Sequence, residues 1–236
     1  TCPVGAFTRP DGLYRLLRCV ESMPDRTALD LVCAHHPAAS VAGRDVTAVV
    51  QLDNCLSELG PSAFAGLMAL GVKRLRLRLD TCATCPLRVL QPQIEQSAAH
   101  ARQILAACGL QERLRLTLSP DDGGRQRPLY QSKNPPVSRR GFLTMFAPGS
   151  APQAKMIAPI DEEASDTARH PSRERQRLLN ALRCLATTQD RWDSTIPIEA
   201  EGFTLFRVQE TCTACGVCER VCPTQAMRVI KDDAAF

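Results

Sequence analysis

The chain has 236 residues, 44% apolar and only 4% aromatic, with 29 Lys and Arg against 25 Asp and Glu and a formal net charge of +4. That length buries one good core and carries a small second module, while the mild charge and the scarcity of stacking rings argue against a nucleic-acid partner. No run of about eighteen apolar residues occurs, so no membrane span is expected in this segment, and the 12 cysteines, several in Cys-x2-Cys spacing, read as metal ligation in a cytoplasmic setting rather than as a disulfide framework.

The chain opens Thr1-Cys2-Pro3-Val4-Gly5-Ala6. Gly12 to Glu21 predicts a short helix with Leu13, Leu16, Leu17 and Val20 on one side, and Cys19 within it reads as a core thiol. From about Thr27 to Ser119 strands and helices alternate. Thr27–Cys33 and Asp45–Leu52 read as strands, Pro61–Leu70 as a helix stopped by Gly71, and Val72–Leu79 as a half-buried strand with Leu75, Leu77 and Leu79 on one face and Arg74, Arg76 and Arg78 on the other. Pro86–Cys108 reads as a long helix stopped by Gly109, with Cys108 structural, and Arg113–Leu118 as a last strand. This succession predicts a small parallel sheet with right-handed crossover helices.

Cys33, Cys55 and Cys82 each fall at or just past the C-terminal end of a different expected strand, the edge at which open parallel sheets bind their ligands. Cys85 adds a fourth thiol. Four thiolates suit a [2Fe–2S] cluster, a [4Fe–4S] cluster or zinc, whereas ordinary buried thiols would account for Cys33 and Cys55 as core residues. His35 and His36 stand at the same edge, either as ligands or tuning groups for a metal or as an exposed pair in a turn before Pro37.

Between Ser119 and Pro171 the chain turns to Gly123-Gly124, Pro135-Pro136 and further prolines with scattered arginines, which predicts a flexible linker. Its basic residues would serve as a solvated tether or as a dock for an acidic redox partner. Ser138-Arg139-Arg140-Gly141-Phe142-Leu143 has the look of an export motif, but in mid-chain and without a long apolar stretch behind it coincidence is the better reading. Ser172–Thr188 predicts a helix whose Leu178, Leu179, Leu182 and Leu185 stripe, with Cys184, packs on a neighbour.

Cys212, Cys215, Cys218 and Cys222, followed by Pro223, have the C-x2-C-x2-C-x3-C-P spacing that wraps a chain around a [4Fe–4S] cluster, with Gly216 allowing close backbone approach. Zinc sites more often use two separated Cys-x2-Cys pairs. In two-cluster proteins of this kind the fourth Cys ligates the other cluster. Cys2-Pro3 resembles the exit of such a motif, so Cys2 would complete the C-terminal cluster or belong to a separate upstream one, with a further motif beyond Phe236; the strand-like Met227–Ile230 favours the latter. Both termini are expected to be cut from a longer polypeptide.

From about Gly202 to Ile230 the chain resembles bacterial-type [4Fe–4S] ferredoxins. The frame Cys33, Gln51-Leu-Asp-Asn-Cys55, Phe64–Val72, Cys82-Ala-Thr-Cys85 and Leu105–Leu114 is similar to the delta subunit of methyl-viologen-reducing hydrogenases. That resemblance implies an iron–sulfur cluster on an α/β domain, held by Cys33, Cys55, Cys82 and Cys85, and electron passage between a hydrogenase or formate dehydrogenase and heterodisulfide reductase. The expected architecture is α/β: residues 1–26 as the tail of an upstream motif with a short helix, 27–119 as a Cys-bearing sheet domain, 120–171 as linker, 172–200 as helix and connector, and 201–236 as an incomplete α+β ferredoxin-like module. The expected role is a soluble single-electron carrier between protein redox partners, since no catalytic constellation or dinucleotide fingerprint occurs. Two alternatives are the electron-feeding part of a multi-domain reductase and a zinc-stapled interaction or assembly module.

Overall fold

A computed structural model describes residues 12–119, 124–136, 152–158, 173–188, 211–213 and 215–221. Strand β1 (Ala28–Val32) is buried along its whole length, as a central parallel strand must be. It pairs in parallel with β3 (Ala48–Gln51) on one side and β4 (Arg74–Arg78) on the other. Strand β5 (Leu114–Thr117) lies outside β4 and β7 (Leu129–Gln131) outside β3, giving the five-stranded parallel order β5-β4-β1-β3-β7. This is the α/β sheet domain that the succession of elements implied.

Period-two alternation divides the sheet into two unlike faces. Leu29, Leu31, Val50, Leu75, Leu77 and Leu114 enter the main core, together with the apolar stripes of α1 (Gly12–Glu21), α2 (Pro61–Ala69) and α3 (Gln91–Ala106). The opposite face carries Asp30, Gln51, Arg76 and Arg78 beside a smaller cluster of Val32, Ala39, Ala42, Val46 and Val49. The β1–β3 connection, with its short strand β2 (Val41–Ala42), supplies three of those five apolar residues. Arg78 is consequently buried, and Arg76 reaches a buried Asp30, so the arginine side of β4 is less open to water than its alternation implied.

Helices α2 and α3 stop in the same way. Gly71 and Gly109 adopt φ of 93° and 67°, a left-handed turn that glycine enters without steric cost, and the buried Val72 and Leu110 that follow return their N–H groups to Leu67 and Leu105. The start of α3 differs from expectation. Residues Cys82–Thr84 and Arg88–Leu90 form single 3-10 turns, and the helix begins only at Gln91. Pro92 explains the offset: it has no N–H to donate and is tolerated in a first helical turn but not in the second turn of a helix begun at Pro86.

The described parts of the stretch read as a linker belong to the sheet domain. Strand β6 (Arg125–Gln126) pairs antiparallel with β2, and β7 extends the main sheet through the register Val49↔Leu129 to Gln51↔Gln131. A short helix α4 (Gln153–Ile157) buries Ala154 and Ile157, and Glu21 of α1 accepts a 2.7 Å bond from the Gln153 N–H at its start. Backbone pairing needs no side-chain periodicity, so these brief elements leave little trace in composition.

Helix α5 (Arg173–Thr188) lays Leu178, Ala181, Leu182 and Leu185 into the core against α2. Its Glu174 satisfies the α2 N-terminus: the carboxylate accepts 2.8 Å and 2.7 Å bonds from the N–H and hydroxyl of the fully buried Ser62. A Cβ on Gly60 would strike this carboxylate. Glu174→Ala is expected to cost about 1–2 kcal/mol of stability. Denaturant unfolding of Glu174→Ala, Ser62→Ala and the double variant checks this, because a shared contact makes the double change cost less than the sum of the two single changes.

Candidate functional site

All five strands of the main sheet run the same way, so their C-terminal ends share one edge. Cys33 directly follows the central β1, Cys55 follows β3 on one flank, and Cys82 follows β4 on the other. Backbone and side-chain bonds tie these loops together. The Ala34 N–H donates to Asn54 O at 3.1 Å, and the Gln51 amide donates to Ala34 O at 3.0 Å, joining the Cys33 and Cys55 loops across the sheet. The Cys85 N–H closes a turn onto Cys82 O at 3.1 Å, and the Leu87 N–H points at the Cys85 sulfur at 3.4 Å.

Burial pushes the Cys82 thiol up to about 11, and nearby Cys33, Cys55, Cys85 and Asp80 add to the rise. Cys33 is raised by burial, against the lowering effect of the His35 N–H, with further raising from Cys55 and Cys85. The structure thus sets Cys33, Cys55 and Cys82 in loops after three adjacent strands at one sheet edge, with Cys85 one turn beyond Cys82, all four partly buried. Among the described residues no three Cys, His, Asp or Glu side chains gather tightly enough for a single metal ion. A tetrahedral zinc needs sulfurs about 4 Å apart; a cluster, being larger, holds its thiolates further from one another.

His36 is neither exposed nor free to ligate. Its side chain is 1% exposed, Nδ1 accepts a bond from the Ala38 N–H at 3.3 Å, and Nε2 donates to Asp80 Oδ1 at 3.2 Å. Both ring nitrogens are thus engaged, whereas His35 is exposed. Asp80 also receives the Arg78 guanidinium at 3.1 Å, and Arg78 in turn bonds the carbonyl of Val41. This Arg78–Asp80–His36 chain fastens the loop after β1 to the strand that leads to Cys82. Sequence reading passed over Asp80; a carboxylate directly after the apolar end of β4, two residues before a ligand candidate, was its only signal.

Burial raises the thiols of Cys19, Cys108 and Cys184, Cys19 to about 11. Cys19 is fully buried and its sulfur donates to Gln131 O at 3.6 Å, in keeping with a core thiol.

At the C-terminal motif Cys212, Cys215 and Cys218 are exposed, while Cys222 and Cys2 lie outside the described residues, as does the stretch Ser138–Leu143. Gly216 takes φ of 69°, a left-handed turn, with nothing within 4 Å of where a Cβ would stand. Helix α6 (Val217–Val221) follows at once, and the Arg220 side chain bonds back to Cys215 O at 3.2 Å. Hydrogen bonds from the Val217 N–H and the Thr213 side chain hold the Cys215 thiol below its ordinary value, favouring the thiolate that binds iron. Soft thiolate donors around an open glycine turn fit a [4Fe–4S] cluster.

Residues 206–228 match the family model for the 4Fe-4S binding domain, a span that contains all four cysteines of the C-terminal motif. The chain thus carries a 4Fe-4S binding domain with its [4Fe–4S] cluster, next to an α/β sheet domain. No curated protein and no solved structure matches the chain. Among the described residues no helix is long and apolar enough to cross a membrane.

Proposed function

We propose that this chain is an electron relay with two iron–sulfur centres. Cys212, Cys215 and Cys218 hold the [4Fe–4S] cluster of the matched domain, with Cys2 or a residue outside this chain as the fourth ligand, and Cys222 ligates iron of a neighbouring cluster held mainly outside this chain. Cys33, Cys55, Cys82 and Cys85 hold a second cluster, [2Fe–2S] or [4Fe–4S], at the sheet edge. Such groups supply one-electron uptake and release with little rearrangement. The placement of Cys33, Cys55 and Cys82 directly after three adjacent parallel strands at one sheet edge, with Cys85 one turn beyond Cys82, supports the second assignment. The protein's own part is to desolvate the thiols, tie their loops together and aim the Leu87 N–H at the Cys85 sulfur, a bond that stabilises charge on sulfur. Partners are other redox proteins; the resemblance of the Leu29–Leu118 frame makes a hydrogenase- or formate-dehydrogenase-linked pair the reading to test first.

Anaerobic reconstitution with iron and sulfide counts, followed by electron paramagnetic resonance, decides the matter. Cys215→Ser is expected to remove one signal and Cys82→Ser a different one. An unchanged count and spectrum for Cys82→Ser would remove the second centre, and zinc in place of iron and sulfide would replace the relay by a zinc-stapled module.

Loading of the sheet-edge site should also depend on pH. A thiol raised to about 11 is protonated at neutrality and must release its proton to ligate, so occupancy falls as pH falls. The expected drop in apparent affinity is up to about tenfold per pH unit for each proton released. Iron retention against a chelator, measured across neutral to mildly acidic pH, checks this.

A further inference from the structure

The face of the sheet that carries Asp30, on which no helix packs among the described residues, gathers arginines at the end opposite the cysteines. Arg76 on β4 and Arg115 on β5 are register partners, and Arg74 precedes Arg76 on the same face. With Arg113 they line a cleft of about 130 Å³ beside the start of β1. Two of these charges are already matched, Arg74 by Asp45 at 2.9 Å and Arg76 by Asp30 at 2.7 Å. The other two are not: Arg115 makes only a 3.4 Å bond to Glu112 O, and Arg113 has no ion-pair partner among the described residues. Glu112 also lines the cleft, without an ion pair to either.

Arg113 and Arg115 stand two residues apart on one face and both line the cleft, so their like charges repel, and an anion between them turns that repulsion into attraction. Guanidinium forks match tetrahedral oxyanions in geometry as well as charge. The cleft is too small for a protein segment but roomy enough for a phosphoryl group. We propose that it is an anion site for a small, multiply charged phosphoryl ligand, bound by Arg113 and Arg115, with Asp45 and Asp30 holding Arg74 and Arg76 in position as its walls. The proposal is independent of the cysteine assignments, whose residues lie at the other end of the strands.

Isothermal titration of the full chain with inorganic pyrophosphate, at fixed low ionic strength, tests it. Saturable one-to-one binding is expected, weakened about tenfold or more in Arg113→Gln/Arg115→Gln. Arg125→Gln, an exposed arginine outside the cleft, should change it by less than about twofold. Citrate, as a carboxylate of similar charge, should bind more weakly. The proposal is overturned by absence of binding, by equal loss in the Arg125 variant, or by tighter citrate binding. Circular dichroism of the double variant should match the parent, since both side chains reach the surface cleft and neither enters the core.

Discussion

Arg76→Ala is expected to lose about 3–5 kcal/mol of stability, a large fraction of what a domain of this size possesses. Asp30 is fully buried on the central strand, and Arg76 grips both carboxylate oxygens, Nε to Oδ1 at 2.8 Å and Nη2 to Oδ2 at 2.7 Å. Truncation strands a carboxylate away from water, which costs far more than the pair itself contributes. The double change Asp30→Val/Arg76→Met should recover most of the loss, because apolar residues of similar volume often replace a buried pair at little cost. Chemical denaturation of the three proteins measures both effects. A single variant within about 1 kcal/mol of the parent would show that water reaches Asp30 when Arg76 is gone.

Asp80→Ala is the second large effect. The Asp80 side chain is 4% exposed and joins the 5% exposed Arg78 to His36, so its removal leaves a buried guanidinium unpaired. About 3–5 kcal/mol is again expected, with weaker iron retention at the proposed sheet-edge centre because the Cys33 and Cys82 loops lose their tie. The pH dependence follows from the same contacts. Burial alone would raise this carboxyl, but the hydrogen bonds from Arg78 and His36, with the positive charge of Arg78, outweigh it and hold Asp80 below its ordinary value. A depressed folded value means stability that is fully present above the unfolded value of about 3.9 and is lost as pH falls through the folded one. Parent and Asp80→Ala should therefore differ most near neutrality and converge in acid. A gap that stays constant down to about pH 2 would assign the loss to packing rather than to the ionised carboxylate.

How far the sequence could be read depended on how local the signal was. Alternating leucines in β4 and the glycines ending α2 and α3 are local patterns, and each reports its own element. The C-x2-C-x2-C run is more local still, since one short segment supplies its own geometry. Pro92 is a local signal as well, since a proline is excluded from the second turn of a helix. By contrast β7 is three residues that gain their place by hydrogen bonding to an existing edge, and α4 is a single short helix that packs only because α1 and α5 are already there. Glycine and proline around them imply irregular chain, not detachment from the core.

From residues alone came the iron-binding run at the C-terminus, the α/β order of the middle and the placing of Cys33, Cys55 and Cys82 after strands, because covalent spacing and periodicity are written in neighbouring positions. Tertiary structure alone decided which strands adjoin, and with that the gathering of the Cys33, Cys55 and Cys82 loops at one edge, the burial of His36 with Asp80, and the pairing of Arg76 with Asp30. Those contacts join residues dozens of positions apart, and strand order, which no short segment encodes, is what sets their distances.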